Sequence, residues 1–110
     1  MQQPINEYQS PTEMMTQAAV AHALNGEWAE AIQANRKLIA HDPLDTEAHN
    51  RLGKALAASG HLQDAIAAYS RVLELDPHNV IAQRYLTRLE SAGDAGELTE
   101  ISGTAMEMAR

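Results

Sequence analysis

Residues 46–77 read TEAHNRLGKALAASGHLQDAIAAYSRVLELDP, and residues 12–43 align with them without a gap. In this alignment Gly60 lies 34 residues after Gly26, and Pro77 lies 34 residues after Pro43. Glycine and proline mark the ends of secondary-structure elements, so their recurrence at one spacing is more informative than matched alanines in an alanine-rich chain. The sequence therefore predicts two consecutive copies of one structural unit.

Each copy is predicted to form a pair of helices. Ser10 and Glu13 form a capping box at the start of the first helix, and Gly26 ends that helix because glycine tolerates the left-handed conformation of a helix C-terminus. Pro43 and Pro77 stop the second helix of each copy, since the residue before proline is driven out of the α region. The helices predicted in this way span about residues 11–24, 27–40, 46–58, 62–75 and 79–92.

The C-terminal part of the chain begins with the fifth of these helices and has no second helix to complete a third copy. Gly93 and Gly96 are predicted to end the fifth helix. A polar outer face on a last helix is typical of the end of a solenoid. The predicted organisation is a polar N-terminal tail (1–11), two repeats (12–45 and 46–79), a capping helix (80–92) and an acidic C-terminal tail (93–110).

The second copy resembles a tetratricopeptide repeat, a family whose pattern is an aromatic residue, Leu-Gly and Tyr, followed by Ala, an aromatic residue and Pro. The residues that match at the family spacing are Leu52, Gly53, Ala65, Tyr69 and Pro77. His49 and Leu56 stand where aromatic residues are usual, and the first copy is degenerate, keeping Ala31 and Pro43. The resemblance implies an all-α fold of antiparallel helical hairpins stacked as a short right-handed solenoid, and a protein-binding module rather than an enzyme.

The composition narrows the classes of partner. Fifteen Asp and Glu residues against eight Lys and Arg give a net charge of −7, which disfavours binding to nucleic acid or to an anionic membrane surface. No apolar stretch approaches the roughly 20 residues that span a bilayer. There is no cysteine, so disulfides and thiolate chemistry are excluded. We expect a cytoplasmic protein whose partner is a protein or peptide.

The residues that could carry chemistry do not form a reactive pattern. No two of the five histidines stand at the i, i+4 spacing of a helical zinc site, and His22 and His49 are expected to pack between helices. The carboxylate pairs lie on predicted surface turns, where nothing would desolvate them and shift a pKa. We therefore expect no catalytic residue, no metal site and no cofactor.

The resemblance does predict a binding groove, because in this family the first helix of each repeat lines the inner face of the solenoid. The residues mapped to that face are Glu13, Thr16, Gln17 and Val20 on the first helix, Asn50, Arg51 and Lys54 on the third, and Arg84, Tyr85 and Arg88 on the fifth. Of these, Gln17 and the residues of the third and fifth helices are the predicted peptide-binding set. Four of the eight basic residues thus fall on one face of an acidic protein, which favours an acidic peptide as partner. A solvated helix face with no ligand is the alternative.

Some members of the family hold the C-terminal carboxylate of a partner with Lys, Asn and Arg side chains at five positions. The residues at those positions here are Thr16, Val20, Arg51, Ile81 and Tyr85, and none of them matches the residue that the pattern requires. A clamp of that type is therefore not expected.

Three further possibilities remain open at the level of sequence. Two repeats are fewer than the three usually needed for a stable solenoid, so the chain could self-assemble as a homo-oligomer through its degenerate first repeat or its cap. It could also be a fragment of a longer repeat protein. Finally, the acidic tail from Asp94 to Arg110 could fold back at its glycines and occupy the basic groove.

Overall fold

This computed structural model describes residues 10–103, with side chains for residues 10–92. Polar caps and glycine turns divide the described residues into five helices. The helices are α1 (Pro11–Leu24), α2 (Trp28–His41), α3 (Thr46–Ala58), α4 (Leu62–Leu75) and α5 (Val80–Gly103). No strand occurs within these residues. The predicted all-α fold of helical hairpins is confirmed.

The helix ends follow the local signals. The Ser10 hydroxyl accepts a hydrogen bond from the Glu13 amide at 3.0 Å, and the Glu13 carboxylate accepts one from the Ser10 amide at 3.0 Å. Asp45 caps α3 through the Ala48 amide. The turns after α1 and α3 contain Gly26 and Gly60 with φ of 72° and 88°, the left-handed region in which only glycine is free of strain. The predicted bounds of α1 to α4 therefore agree closely with the structure.

The predicted end of the fifth helix is wrong, because α5 passes through Gly93 and Gly96 and continues to Gly103. Ser59, which precedes Gly60, donates its hydroxyl hydrogen bond to the Ala55 carbonyl at 2.8 Å and so helps to close the end of α3. Ala92, which precedes Gly93, has no such group. An interior glycine costs a helix only about 1 kcal/mol relative to alanine, and no proline follows to stop the chain. The return path at Gly93 and Gly96 that would bring the acidic tail into the groove is therefore not formed, and residues 104–110 lie outside the described part of the chain.

Successive helices pack against one another in chain order, from α1 against α2 to α4 against α5, and α1 also contacts α3. The main core lies among α2, α3, α4 and α5, where small and large buried residues alternate. Ala31 and Ala65 are completely buried and let the helices approach closely, as the repeat pattern predicts. Tyr69 and Val72 fill the volume between the hairpins.

One contact shows how closely the two helices of the second hairpin approach. A Cβ atom placed on Gly53 of α3 would lie 2.7 Å from the Cε2 atom of the Tyr69 ring on α4. Real Cβ atoms do not come that close to another carbon, so the ring occupies the space that a side chain at position 53 would need. Glycine at this position is thus required by packing and not by a turn.

The first hairpin is less completely buried. A second, smaller cluster contains Ala19, Leu38 and Ala48, with Met15, Ala34 and Ile39 packed against it. In α1 only Ala19 is buried. The sequence-based prediction that His22 packs between helices is wrong: it is partly exposed, and its Nδ1 lies 2.7 Å from Glu27 Oε1.

His49, by contrast, is buried as predicted, with its Nε2 3.0 Å from the Pro43 carbonyl oxygen. Within the described residues, no helix is both long enough and apolar enough to span a membrane.

Candidate partner-binding groove

The predicted groove residues lie on α1, α3 and α5, and their side chains differ in how many hydrogen bonds and ion pairs they form within the chain. Arg51 forms both a hydrogen bond and an ion pair. It lies partly buried and donates from Nε to Asn35 Oδ1 at 3.0 Å, while its Nη1 is 3.7 Å from Glu47 Oε1. Asn35 is completely buried and also donates to the Ala31 carbonyl at 2.9 Å. Arg51 therefore connects α3 to the interior of α2, which is a structural role that limits its availability to a ligand.

Asn50 joins α3 to the turn that precedes α5. Its Nδ2 donates to Asn79 Oδ1 at 3.3 Å, and the same Asn79 oxygen accepts a hydrogen bond from the Ala82 amide at 2.9 Å. Asn79 thus caps the start of α5 while holding Asn50 in place. The Oδ1 atom of Asn50 is buried and accepts no hydrogen bond from the described residues.

A column of stacked groups leads from the core to the surface of α5. The rings of Tyr69 and Tyr85 lie parallel, with an interplanar angle of 6° and centroids 5.4 Å apart. The Arg88 guanidinium carbon lies 5.2 Å from the centroid of the Tyr85 ring, which is a cation–π distance. Burial, with a smaller contribution from Tyr85, raises the pKa of Tyr69 to about 12, so its hydroxyl stays protonated at a pH that would ionise an exposed tyrosine. Arg88 is in this way held in position on a rigid aromatic support.

Lys54 and Arg84 are the two groove cations for which the described side chains provide neither an acidic nor an aromatic partner. Both are exposed, and neither forms an ion pair with any residue whose side chain is described. Two acidic residues lie on the same faces of α1 and α3: Glu13, which is hydrogen-bonded in its capping box, and Glu47, which is exposed and lies 3.7 Å from Arg51. Over the mapped faces of α1, α3 and α5, the four cations Arg51, Lys54, Arg84 and Arg88 outnumber the two carboxylates, so the groove is net positive although the whole chain is acidic.

Exposed apolar side chains accompany these cations. Ile81 is 53% exposed and lies one helical turn before Arg84 on α5, while Val20 is 37% exposed on α1. Gln17 is also exposed, beside Thr16 on the surface of α1. No hydrogen bond or ion pair links Gln17 to the basic residues of α3 and α5 within the described side chains, so the structure does not join it to them.

The sequence pattern does not identify Asn35 and Asn79, the two residues whose hydrogen bonds hold Arg51 and Asn50 in place. The repeat alignment places Asn35 at the position of Tyr69, which is a core position, and a polar residue there needs a hydrogen-bonding partner. That signal indicates that Asn35 has a buried partner, although the sequence does not show that the partner is Arg51. Asn79 precedes a helix, and its residue type is typical of an N-cap. In the part of the chain whose side chains are described, no three His, Asp or Glu side chains come together as a metal site would require.

Comparison with known proteins agrees with this architecture. The sequence profile of the family described as "Tetratricopeptide repeat" matches residues 16–80. A curated relative, the small glutamine-rich tetratricopeptide repeat-containing protein 2 of Mycosarcoma maydis, is 31% identical over 93 residues, which cover 79% of this chain and 26% of the relative. The chain thus spans about a quarter of the length of that protein.

Both similarities are to tetratricopeptide repeats, and they support a role in protein–protein interaction. With a matched profile over more than half of its length, the chain belongs to the tetratricopeptide-repeat family.

Proposed function

We propose that this chain is an adaptor that binds a peptide segment of a partner protein along the α3 and α5 faces of its groove, and that the segment carries both acidic and apolar side chains. The main support for the proposal is that some charged side chains of the groove already have a partner within the chain and others do not. Among the described side chains, Glu47 lies beside Arg51, whereas Lys54 and Arg84 are exposed and have no acidic partner.

The geometry of α5 favours a mixed ligand. Ile81, Arg84 and Arg88 are spaced at i, i+3 and i+7, so they share one face of the helix. A carboxylate can pair with each guanidinium, while an apolar side chain can cover Ile81, which is more than half exposed. Arg88 is already oriented by the Tyr85 ring, so less conformational entropy is lost when it binds an anion.

The proposal can be tested without knowledge of the natural partner. Peptides selected from a displayed random library against the full chain are expected to carry a net negative charge and at least one large apolar residue. A selected peptide should bind the Arg84→Glu variant about tenfold more weakly or worse, which corresponds to about 1.4 kcal/mol. Fluorescence anisotropy with the labelled peptide measures both affinities, and the affinity should fall as salt screens the ion pairs.

Arg36→Glu is the matched control. Arg36 is exposed on α2, outside the groove, and its reversal changes the net charge by the same amount. The proposal requires this variant to bind like the wild type. Selected peptides of basic character, or equal losses in Arg84→Glu and Arg36→Glu, would show that the groove does not choose its ligand by these cations.

A further inference from the structure

A second surface lies on the first hairpin, away from the groove. Side chains of α1 and α2 border an open hollow of about 430 Å³ on the face that no other described helix covers. Met15, Ala18 and Ala34 supply its apolar part, and Glu30, Gln33 and Lys37 lie along its α2 side. We refer to these six residues as the N-terminal hollow.

The composition of α1 favours packing of its apolar surface against another helix. Apolar residues occur around the whole circumference of α1, yet only Ala19 among them is buried. Of the apolar α1 residues that border the hollow, Ala18 is exposed and Met15 is only half-buried. A helix that is apolar all round is normally buried on more than one side, because water disfavours the apolar surface. α1 therefore lacks a neighbour on the side of the N-terminal hollow.

The charges along α2 are arranged so that a second copy of the same surface would fit. Glu30 and Lys37 lie two helical turns apart on one face, and Gln33 and Ala34 lie at the midpoint between them. If two α2 helices pack antiparallel about a two-fold axis at that midpoint, Glu30 of each copy meets Lys37 of the other. Ala34 permits close approach at the axis, and the Gln33 amide can both donate and accept.

We propose that the N-terminal hollow is the interface of a symmetric homodimer, in which α2 of one chain packs antiparallel against α2 of a second copy. Neither Glu30 nor Lys37 forms an ion pair with any described side chain of its own chain, so both are available for the partner copy. The interface is separate from the groove, and its formation does not depend on peptide binding.

The size of the surface sets the expected strength of the dimer. α1 and α2 have 14 residues each, so the face of the hairpin measures roughly 20 Å by 20 Å. A face of that size gives less buried area than the ~800 Å² per partner of a standard interface. We therefore expect a dimer that dissociates at micromolar concentrations rather than a permanent one.

Charge exchange tests the proposed pairing directly. Sedimentation equilibrium of the full chain should show a reversible increase from one-chain to two-chain mass over roughly 1 to 300 µM. Because every pair occurs twice in the dimer, Glu30→Lys alone and Lys37→Glu alone should each weaken association about tenfold or more. The double variant Glu30→Lys/Lys37→Glu restores both pairs with opposite polarity and should associate within about threefold of the wild type.

The double variant also separates association from stability. It places a lysine near the start of α2 and a glutamate near its end, which the helix dipole disfavours at both positions. Any recovery of the dimer must therefore come from the contact between copies, and thermal melts of each variant confirm that it is folded. Arg36→Glu, with the same charge change beside Lys37, should associate like the wild type. A one-chain mass at all concentrations, or a double variant as weak as the single ones, would overturn the proposal.

Discussion

Replacement of Tyr69 by alanine is expected to destabilise the protein by about 3–5 kcal/mol. Tyr69 is 1% exposed and is the largest completely buried side chain in the described part of the chain. Its removal leaves a cavity between the two hairpins and also deletes the ring on which Tyr85 stacks. Domains of this size are stable by only about 5–15 kcal/mol, so the variant should approach unfolding at room temperature. Chemical denaturation followed by circular dichroism measures the change.

Tyr85→Ala is the comparison for this variant. Tyr85 belongs to the same stacked column but is only partly buried, so its loss should cost clearly less than that of Tyr69. Equal losses for the two variants would mean that Tyr69 is not the centre of the core. A loss below about 1 kcal/mol for Tyr69→Ala would contradict the packing described for α4 and α5.

The second large effect is expected at Gly53. The new methyl group of Gly53→Ala would lie 2.7–2.9 Å from three atoms of the Tyr69 ring, and that ring is completely buried and stacked on Tyr85. Overpacking of this kind costs about 1–3 kcal/mol, which more than offsets the helix propensity of roughly 1 kcal/mol that alanine gains over glycine. Thermal unfolding should therefore occur at a lower temperature, against the trend for glycine-to-alanine changes inside helices.

A double-mutant cycle isolates the cause of that loss. In a Tyr69→Leu background the ring atoms that meet the new methyl group are absent, so Gly53→Ala should become neutral or stabilising by up to about 1 kcal/mol. The sign of the effect thus depends on the residue at position 69. If Gly53→Ala is destabilising by the same amount in both backgrounds, the close approach of α3 and α4 is not its cause.

The parts of this fold that the sequence predicts well are those that depend on neighbouring residues. The capping box at Ser10 and Glu13 and the turns at Gly26 and Gly60 are local arrangements, and each was found where the pattern placed it. The end of α5 was not, because Gly93 resembles the other two glycines in residue type but follows Ala92, which offers no hydrogen bond to the last turn. A glycine alone is therefore a weaker stop signal than a glycine preceded by Asn or Ser.

The candidate site was harder to predict because its side chains are shared between helices. The sequence pattern places Arg51 on the groove face of α3, but its partner Asn35 is 16 residues away on α2. Asn50 likewise depends on Asn79, which is 29 residues away. Helical periodicity assigns a residue to a face, whereas the hydrogen bonds that restrain it come from tertiary packing. The sequence pattern predicts both Arg51 and Arg84 as ligand-binding cations. In the structure Arg51 is hydrogen-bonded to Asn35, whereas Arg84 is exposed.

The most direct test of a peptide-binding groove is an NMR titration of isotope-labelled protein with a peptide selected as described above. We expect the largest changes in backbone amide chemical shift on α3 and α5, at Asn50, Lys54, Arg84 and Arg88, with little change at Arg71 on α4. Saturable changes confined to α2 and α4, with the amides of α3 and α5 unmoved, would contradict the proposed groove.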